Sequence, residues 1–221
     1  MRRGVVFDFD GVLADSEGLH LAAFQDVLSA RGWTLDRATY FARYLGYDDR
    51  DLLKAFLTDH SLQVTDAELD AIVAEKGRKY DARVQGGNIL FGSAAACVAR
   101  LRGTFALGIA SGSLHDEIAD ILRANQLEQA FEVVVGADDV ARSKPAPDPY
   151  AAAIQRLGVR PEDAVAIEDS HWGLTSAVAA GLRTIGITTS YPRHALRSAG
   201  AVVDSLDEIT PELITRVLAV R

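Results

Sequence analysis

Two aspartates, Asp8 and Asp10, stand one residue apart in the apolar run Val5-Val6-Phe7-Asp8-Phe9-Asp10-Gly11. Withdrawing a carboxylate from water costs roughly several kcal/mol unless it is paired or metal-bound. The pair therefore implies a use. The run reads as a strand over residues 4–10 closed by Gly11. Side chains alternate faces along a strand, so both carboxylates share one side, about 6.5–7 Å apart. Such a gap admits a metal ion and a reacting group. Asp8 is a candidate nucleophile, because a carboxylate of ordinary pKa, about 4, is ionised at neutral pH. Asp10 is a candidate acid/base, given surroundings that raise its proton affinity. Gly11 lets the backbone turn closely around a ligand. A lone pair of this kind has a plainer reading, two acids capping a solvated turn.

Three further apolar runs end in reactive groups. Ala110 is followed by Ser111-Gly112-Ser113, where a hydroxyl and backbone N–H groups ahead of a helix suit an oxyanion. Arg142-Ser143-Lys144-Pro145-Ala146-Pro147-Asp148 offers an ammonium in a loop stiffened by prolines. Ala164–Ile167 ends in Glu168-Asp169-Ser170, a second acid pair. Mg2+ takes oxygen ligands and keeps several waters. Asp8, the Asp10 backbone carbonyl and Asp169 form a sensible set for it, with Glu168 acting directly or through water. Singly, each feature has a structural alternative: a helix cap, a surface lysine, a capped strand end. Four together at successive strand ends would need four coincidences.

The elements that must position them follow from hydrophobic period. Short Val/Ile-rich strands alternate with helices from residue 93 onward: TFALGIAS, FEVVVGAD, DAVAIED, LRTIGIT and a final AVVD. Such alternation predicts a parallel sheet covered on both faces. Gly32 and Gly181 read as helix stops, and Pro211 as the first residue of a closing helix. Strand one is separated from its partners by a helical stretch, Ser16 to about Arg83, with Gly86-Gly87 as punctuation. The economical fold is α/β: a doubly wound, Rossmann-like core over residues 1–15 and 86–221, with an all-helical cap over 16–85. In open sheets of this kind the active site lies at the carboxyl ends of the strands.

A chain of 221 residues with net charge -8 supports a full core and carries no basic cluster for nucleic acid. A single cysteine, Cys97 in AAACVARL, rules out an intramolecular disulfide and reads as a core residue. The absence of a signal-like or 18-residue apolar segment points to no membrane and a cytoplasmic location.

These motifs resemble those of the haloacid dehalogenase-like hydrolases with a helical cap after strand one. DFDGVLADSE, ASGS, SKPAPDPY and IEDSHWG match its four motifs in order, so the resemblance spans essentially the whole chain. It implies phosphoryl transfer: Asp8 forms an aspartyl-phosphate, Asp10 protonates the leaving oxygen and later activates water, and Ser111 and Lys144 hold the phosphoryl group, with Gly112 and Ser113 beside it. Mg2+ is the implied cofactor, held at Asp8, Asp10, Glu168 and Asp169, and a small phosphorylated metabolite is the implied partner of a monomer or weak homodimer. Dehalogenases of the superfamily lack the second aspartate, so Asp10 argues against them. Receiver domains carry a similar constellation in reversed order, and a degenerate binding protein would lack Asp8, Asp10 or Lys144.

Within the branch the chain is similar to sugar-phosphate phosphatases and β-phosphoglucomutase. His20 falls where the mutases carry a histidine that contacts the position of Asp10, and Lys76 where they carry a substrate lysine. Beside Arg78 and Lys79, however, Lys76 also reads as part of a solvated helix face. The cap loop departs from the mutases. Gly46-Tyr47-Asp48-Asp49-Arg50 puts Asp49 where a mutase arginine grips the distal phosphate, with Arg50 one place later. An aspartate there repels a second phosphate, which favours a phosphatase. Tyr47 and Arg50 are candidates for substrate choice. The cap is expected to hinge about Ala14–Ser16 and Arg83–Gly87.

Overall fold

The computed structural model describes residues 2–45, 47–84 and 89–220. Gly46, the Gly86-Gly87 pair, most of the second hinge and the domain boundary at residue 85 lie outside the described residues. The chain begins with β1 (Gly4–Phe7) and passes into α1 (Glu17–Ser29), α2 (Arg37–Thr39), a π-helical turn at Tyr40–Tyr44, α3 (Asp49–Asp59) and α4 (Asp66–Val84). From there it runs α5 (Ala94–Leu101), β2 (Ala106–Ala110), α6 (His115–Ala124), β3 (Val133–Val135) and α7 (Asp148–Leu157). It closes with β4 (Ala164–Glu168), α8 (His171–Ala179), β5 (Arg183–Ile187), β6 (Ala201–Val203) and α9 (Pro211–Ala219).

The six strands are parallel in the order β3-β2-β1-β4-β5-β6. The first strand lies centrally, where the winding reverses, and ligands of doubly wound sheets bind at that switch point. Phe7 pairs with Ile109 of β2 and with Ile167 of β4, so residues after all three strands emerge side by side.

Both faces of the sheet are covered. Val5, Phe7 and Phe9 pack with Ile118, Ile121 and Leu122 of α6, with Ile214 and Val217 of α9 and with Cys97. Val6 faces the other way, toward Tyr150, Ala153 and Leu157 of α7 and Ala177 of α8. The inserted helices have a separate core built on Phe24, Leu28, Tyr44, Leu53, Phe56 and Ile72. No helix among the described residues is long and apolar enough to cross a membrane.

One expectation about boundaries needs correction. The first strand ends at Phe7 rather than Asp10. Asp8 still donates its N–H to Ile167 O at 2.9 Å, but Leu13 and Ala14 then donate to Phe9 O, also at 2.9 Å, and close a turn. Gly11 sits in that turn at φ 75. Gly32 and Gly181 do stop their helices: they follow the caps at Ala30 and Ala180, and Trp33 N–H donates to Leu28 O and Leu182 N–H to Ala177 O, each at 3.0 Å, across the turn. Both have positive φ and redirect the chain. The closing helix does begin at Pro211, with the Thr210 side chain accepting from Leu213 N–H.

Aromatic side chains are among the contacts that join the cap to the core. Tyr191, after β5, donates its hydroxyl to Phe41 O at 2.5 Å. Tyr47 lies against Trp172 at the start of α8, ring centres 5.7 Å apart.

Candidate active site

Register brings the reactive groups together. Asp8 follows β1, Ser111 follows β2 on one side, and Glu168 and Asp169 close β4 on the other. The loop before α7 adds Lys144, whose peptide bond to Pro145 is cis. Its ammonium lies 2.7 Å from Asp8 Oδ1 and 2.7 Å from Glu168 Oε1, and all three side chains are buried. Burial works against the lysine charge, but Asp8 and Glu168 outweigh it and raise its pKa.

Consecutive acids have different surroundings here. Both oxygens of Glu168 are engaged: Oε1 accepts from Lys144 and from the Tyr150 hydroxyl at 2.6 Å, and Oε2 from Ser170 Oγ at 3.2 Å. Asp169 is also buried, yet its Oδ2 has no hydrogen-bond partner. A buried unpartnered carboxylate oxygen is costly and calls for a cation. Ligand atoms of Asp8, Glu168 and Asp169 lie within 4.8 Å of one another. Three carboxylates face one ammonium, and burial followed by the charge of Glu168 pushes Asp8 and Asp169 well above the usual carboxylate range. The all-oxygen donors and the excess negative charge fit a hard divalent cation.

The close packing explains two glycines. A Cβ on Gly11 would overlap Asp169 Oδ2, and one on Gly173 would fall inside the Glu168 carboxylate.

Asp10 points elsewhere. Its Oδ1 accepts from Ser16 Oγ and faces His20 Nε2 at 3.3 Å. Its Oδ2 accepts from Ser111 Oγ at 3.2 Å and Ser113 Oγ at 2.6 Å. Its carboxylate is thus outside the three-acid group, which leaves its backbone carbonyl as the ligand the sequence suggested. Burial alone would raise the Asp10 pKa; the bonds from His20, Ser113 and Ser16 outweigh it and hold the group well below the carboxylate range. Ser111 also accepts from Ser113 N–H at 3.0 Å, so the hydroxyl turn and the anion-facing hydroxyl coexist in one residue.

Behind His20 the chain of contacts enters the cap. Lys76 Nζ lies 2.7 Å from His20 Nδ1 and 2.7 Å from Asp49 Oδ1. An ammonium only donates, so Nδ1 accepts and the ring proton sits on Nε2, facing Asp10. Lys76 is wholly buried, between the Phe24 and Tyr80 rings at 5.0 Å from each. The solvated helix face suggested by Arg78 and Lys79 is overturned, because contacts distant in sequence enclose Lys76. His20 stacks on Tyr80 at 4.0 Å.

Asp8, Asp10, Lys144 and Asp169 line one cavity of about 260 Å³ with His20, Tyr47, Arg50, Gly112 and Ser113. Arg50 borders it, but its guanidinium pairs with Asp70 and lies 3.8 Å from Asp66. Sequence reasoning missed Ser16, Tyr150, Ser170 and Gly173. It also missed two acids on the cavity wall. Burial, then the Asp10 charge, pushes Glu17 up to about 8 despite a 2.9 Å bond from the Tyr40 hydroxyl; burial pushes Glu117 up to about 7. Ser16 and Tyr150 stand inside the quoted motifs DFDGVLADSE and SKPAPDPY, which was their available signal.

The same architecture recurs in known proteins. A β-phosphoglucomutase from Clostridium difficile superposes with a TM-score of 0.90 over 99% of this chain and 97% of its own, at 20% identity, a likeness of fold. CbbY from Rhodobacter sphaeroides, crystallised with xylulose-(1,5)bisphosphate, is 31% identical with a TM-score of 0.84, covering 94% and 96% of the two chains. A phosphorylated carbohydrates phosphatase from Thermotoga maritima is 31% identical over 218 residues, 97% of each chain. The family profile described as haloacid dehalogenase-like hydrolase matches residues 5–187, a span that runs from β1 through the cap to β5 and takes in every acid of the site. On that match and these relatives, the chain is an enzyme of the haloacid dehalogenase-like hydrolase family.

Proposed function

We propose that this enzyme is a Mg2+-dependent phosphatase that hydrolyses a small phosphate monoester through an aspartyl-phosphate on Asp8. The observation that carries the reading is the buried Asp8–Lys144–Glu168 chain beside the unpartnered Asp169 oxygen, at the switch point of the sheet. Lys144 and Phe9 N–H both hold Oδ1 of Asp8 at 2.7 Å, which leaves Oδ2 to attack. A bond forms from Oδ2 to phosphorus as the bond from phosphorus to the leaving oxygen breaks, and Asp10 protonates that oxygen. Water then attacks phosphorus and gives its proton to Asp10. The acyl-phosphate bond breaks, and phosphate and free Asp8 result. Mg2+, held by Asp8, Asp169 and the Asp10 carbonyl, supplies positive charge against the acids and the phosphoryl oxygens. Glu168 positions Lys144, and Tyr150 and Ser170 in turn hold Glu168.

Asp10 must gain a proton before it can act as an acid. An arriving phosphoryl group draws the Ser111 and Ser113 hydroxyls toward itself and adds negative charge beside Asp10. Loss of donors and a nearby like charge both raise a carboxylate pKa. Substrate binding thus moves Asp10 toward its acid form.

The Thermotoga relative is named for phosphorylated carbohydrates, which supports a sugar or related metabolite phosphate as substrate. Asp49 and Arg50 are both held by partners within the cap, which supports hydrolysis over a mutase cycle that grips a bisphosphate at both ends. A panel of phosphorylated metabolites scored for phosphate release tests the reading. Release should require Mg2+, stop in EDTA and vanish in Asp8→Asn. Turnover by that variant would overturn the nucleophile. Conversion of β-glucose 1-phosphate with its 1,6-bisphosphate to glucose 6-phosphate, faster than phosphate release, would favour the mutase.

A further inference from the structure

The cavity extends from Asp8 into the cap, and its far half must receive the leaving group. Two features on this wall would ordinarily bind a second anion, and the chain's own carboxylates occupy both, while a third group, the Lys76 ammonium, lies wholly buried behind Asp49. Lys76 is held by Asp49 at 2.7 Å. Arg50 pairs with Asp70 on α4. The N-terminus of α3, a ready anion site, is capped by Asp48, whose side chain accepts from Asp51 N–H at 2.8 Å. The rest of the cap's wall is apolar (Phe24, Leu45, Leu52, Val73), aromatic (Tyr40, Tyr47) or carries Glu17, with Glu117 of α6 opposite. Outside, the groove between α4 and α6 continues past Asp81, Asp116 and Asp120, with Arg78 beside them. The unpartnered Asp169 oxygen marks the opposite end, where the phosphoryl group and its cation belong.

An anion in the far half would lose its water without gaining a free cation among the described residues. Hydroxyl or ammonium groups would instead donate to Glu17 and Glu117. We propose that the leaving group is an uncharged or amino-bearing polyol with no second phosphate or carboxylate, and that Asp49 enforces this by occupying Lys76. The bulk of such a group rests on apolar wall, its donors on the two glutamates, and its only anion at Asp8. Exclusion of a competitor by a built-in repulsive element is a general route to specificity. The proposal rests on the phosphatase reading above.

The test uses the full chain with saturating Mg2+ and p-nitrophenyl phosphate as a reference. No Mg2+-dependent release from that ester would defeat the phosphatase reading itself. With release present, kcat/KM is compared within pairs of one size: glycerol 3-phosphate against 3-phosphoglycerate, and glucose or glucosamine 6-phosphate against 6-phosphogluconate. The uncharged or amino member should exceed its carboxylate partner at least tenfold in each pair hydrolysed. Equal or inverted ratios would overturn the proposal. In Asp49→Asn, which keeps an oxygen near Lys76 but removes the charge, the carboxylate member should gain at least fivefold relative to its partner. An unchanged ratio would remove Asp49 from the assignment.

Discussion

Gly11→Ala separates backbone strain from chemistry. Gly11 has φ 75, and a Cβ there would lie 2.8 Å from Asp169 Cγ and 2.7 Å from Ser190 Oγ, closer still to Asp169 Oδ2. Gly32 has the same φ 75, with nothing within 4 Å of an added Cβ. Each alanine carries the left-handed backbone penalty, about 1–2 kcal/mol. For a chain of this size that lowers the melting temperature by about 2–8 °C. Gly32→Ala should show that loss and full activity. In Gly11→Ala the Asp169 carboxylate must also recede by on the order of 1 Å, and a misplacement of that size costs about 100-fold in rate. The assays are thermal melts of both variants and phosphate release titrated with Mg2+. Gly11→Ala should lose about 100-fold in kcat/KM and need more Mg2+ for half-maximal rate. Retention of more than a third of wild-type kcat/KM would refute the claim that Gly11 exists to admit Asp169.

Glu17 binds its proton more tightly in the folded enzyme, at about 8, than an ordinary glutamate at 4.5. The stability tied to that proton is complete below about pH 4.5 and is lost as pH rises toward 8. In EDTA, the melting temperature of Glu17→Gln should therefore fall less steeply than wild type over this window, and parallel slopes would refute the burial argument. Tyr150→Phe removes one donor from a buried carboxylate that Lys144 still holds. It should cost about 1.5–3 kcal/mol in urea unfolding while kcat falls less than tenfold. A variant of wild-type stability would show that the tyrosine hydroxyl does not support Glu168.

The sheet was readable because its strands are short apolar runs bounded by turn residues, and register then aligned their ends without further information. The acids, Ser111 and Lys144 were readable for the same reason, since each closes or follows such a run. Local pattern was weaker where a residue's surroundings come from far along the chain. Lys76 looked solvated beside Arg78 and Lys79, yet His20, Phe24 and Asp49 enclose it from two other helices. No sequence window holds those partners together. Glu168 and Asp169 show an intermediate case. As neighbours at a strand end they converge on Asp8 yet keep different partners. One is held by the lysine and tyrosine beneath the site, and the other carries the open oxygen. The sequence separated them in role, Asp169 with the cation and Glu168 assisting, but not in their partners. Asp49 combines both lessons: its identity marked a departure from the mutase pattern, but repulsion of a second phosphate is only half its effect. By neutralising Lys76 it also withdraws the cation that would have attracted one, so a single substitution acts twice on the same specificity.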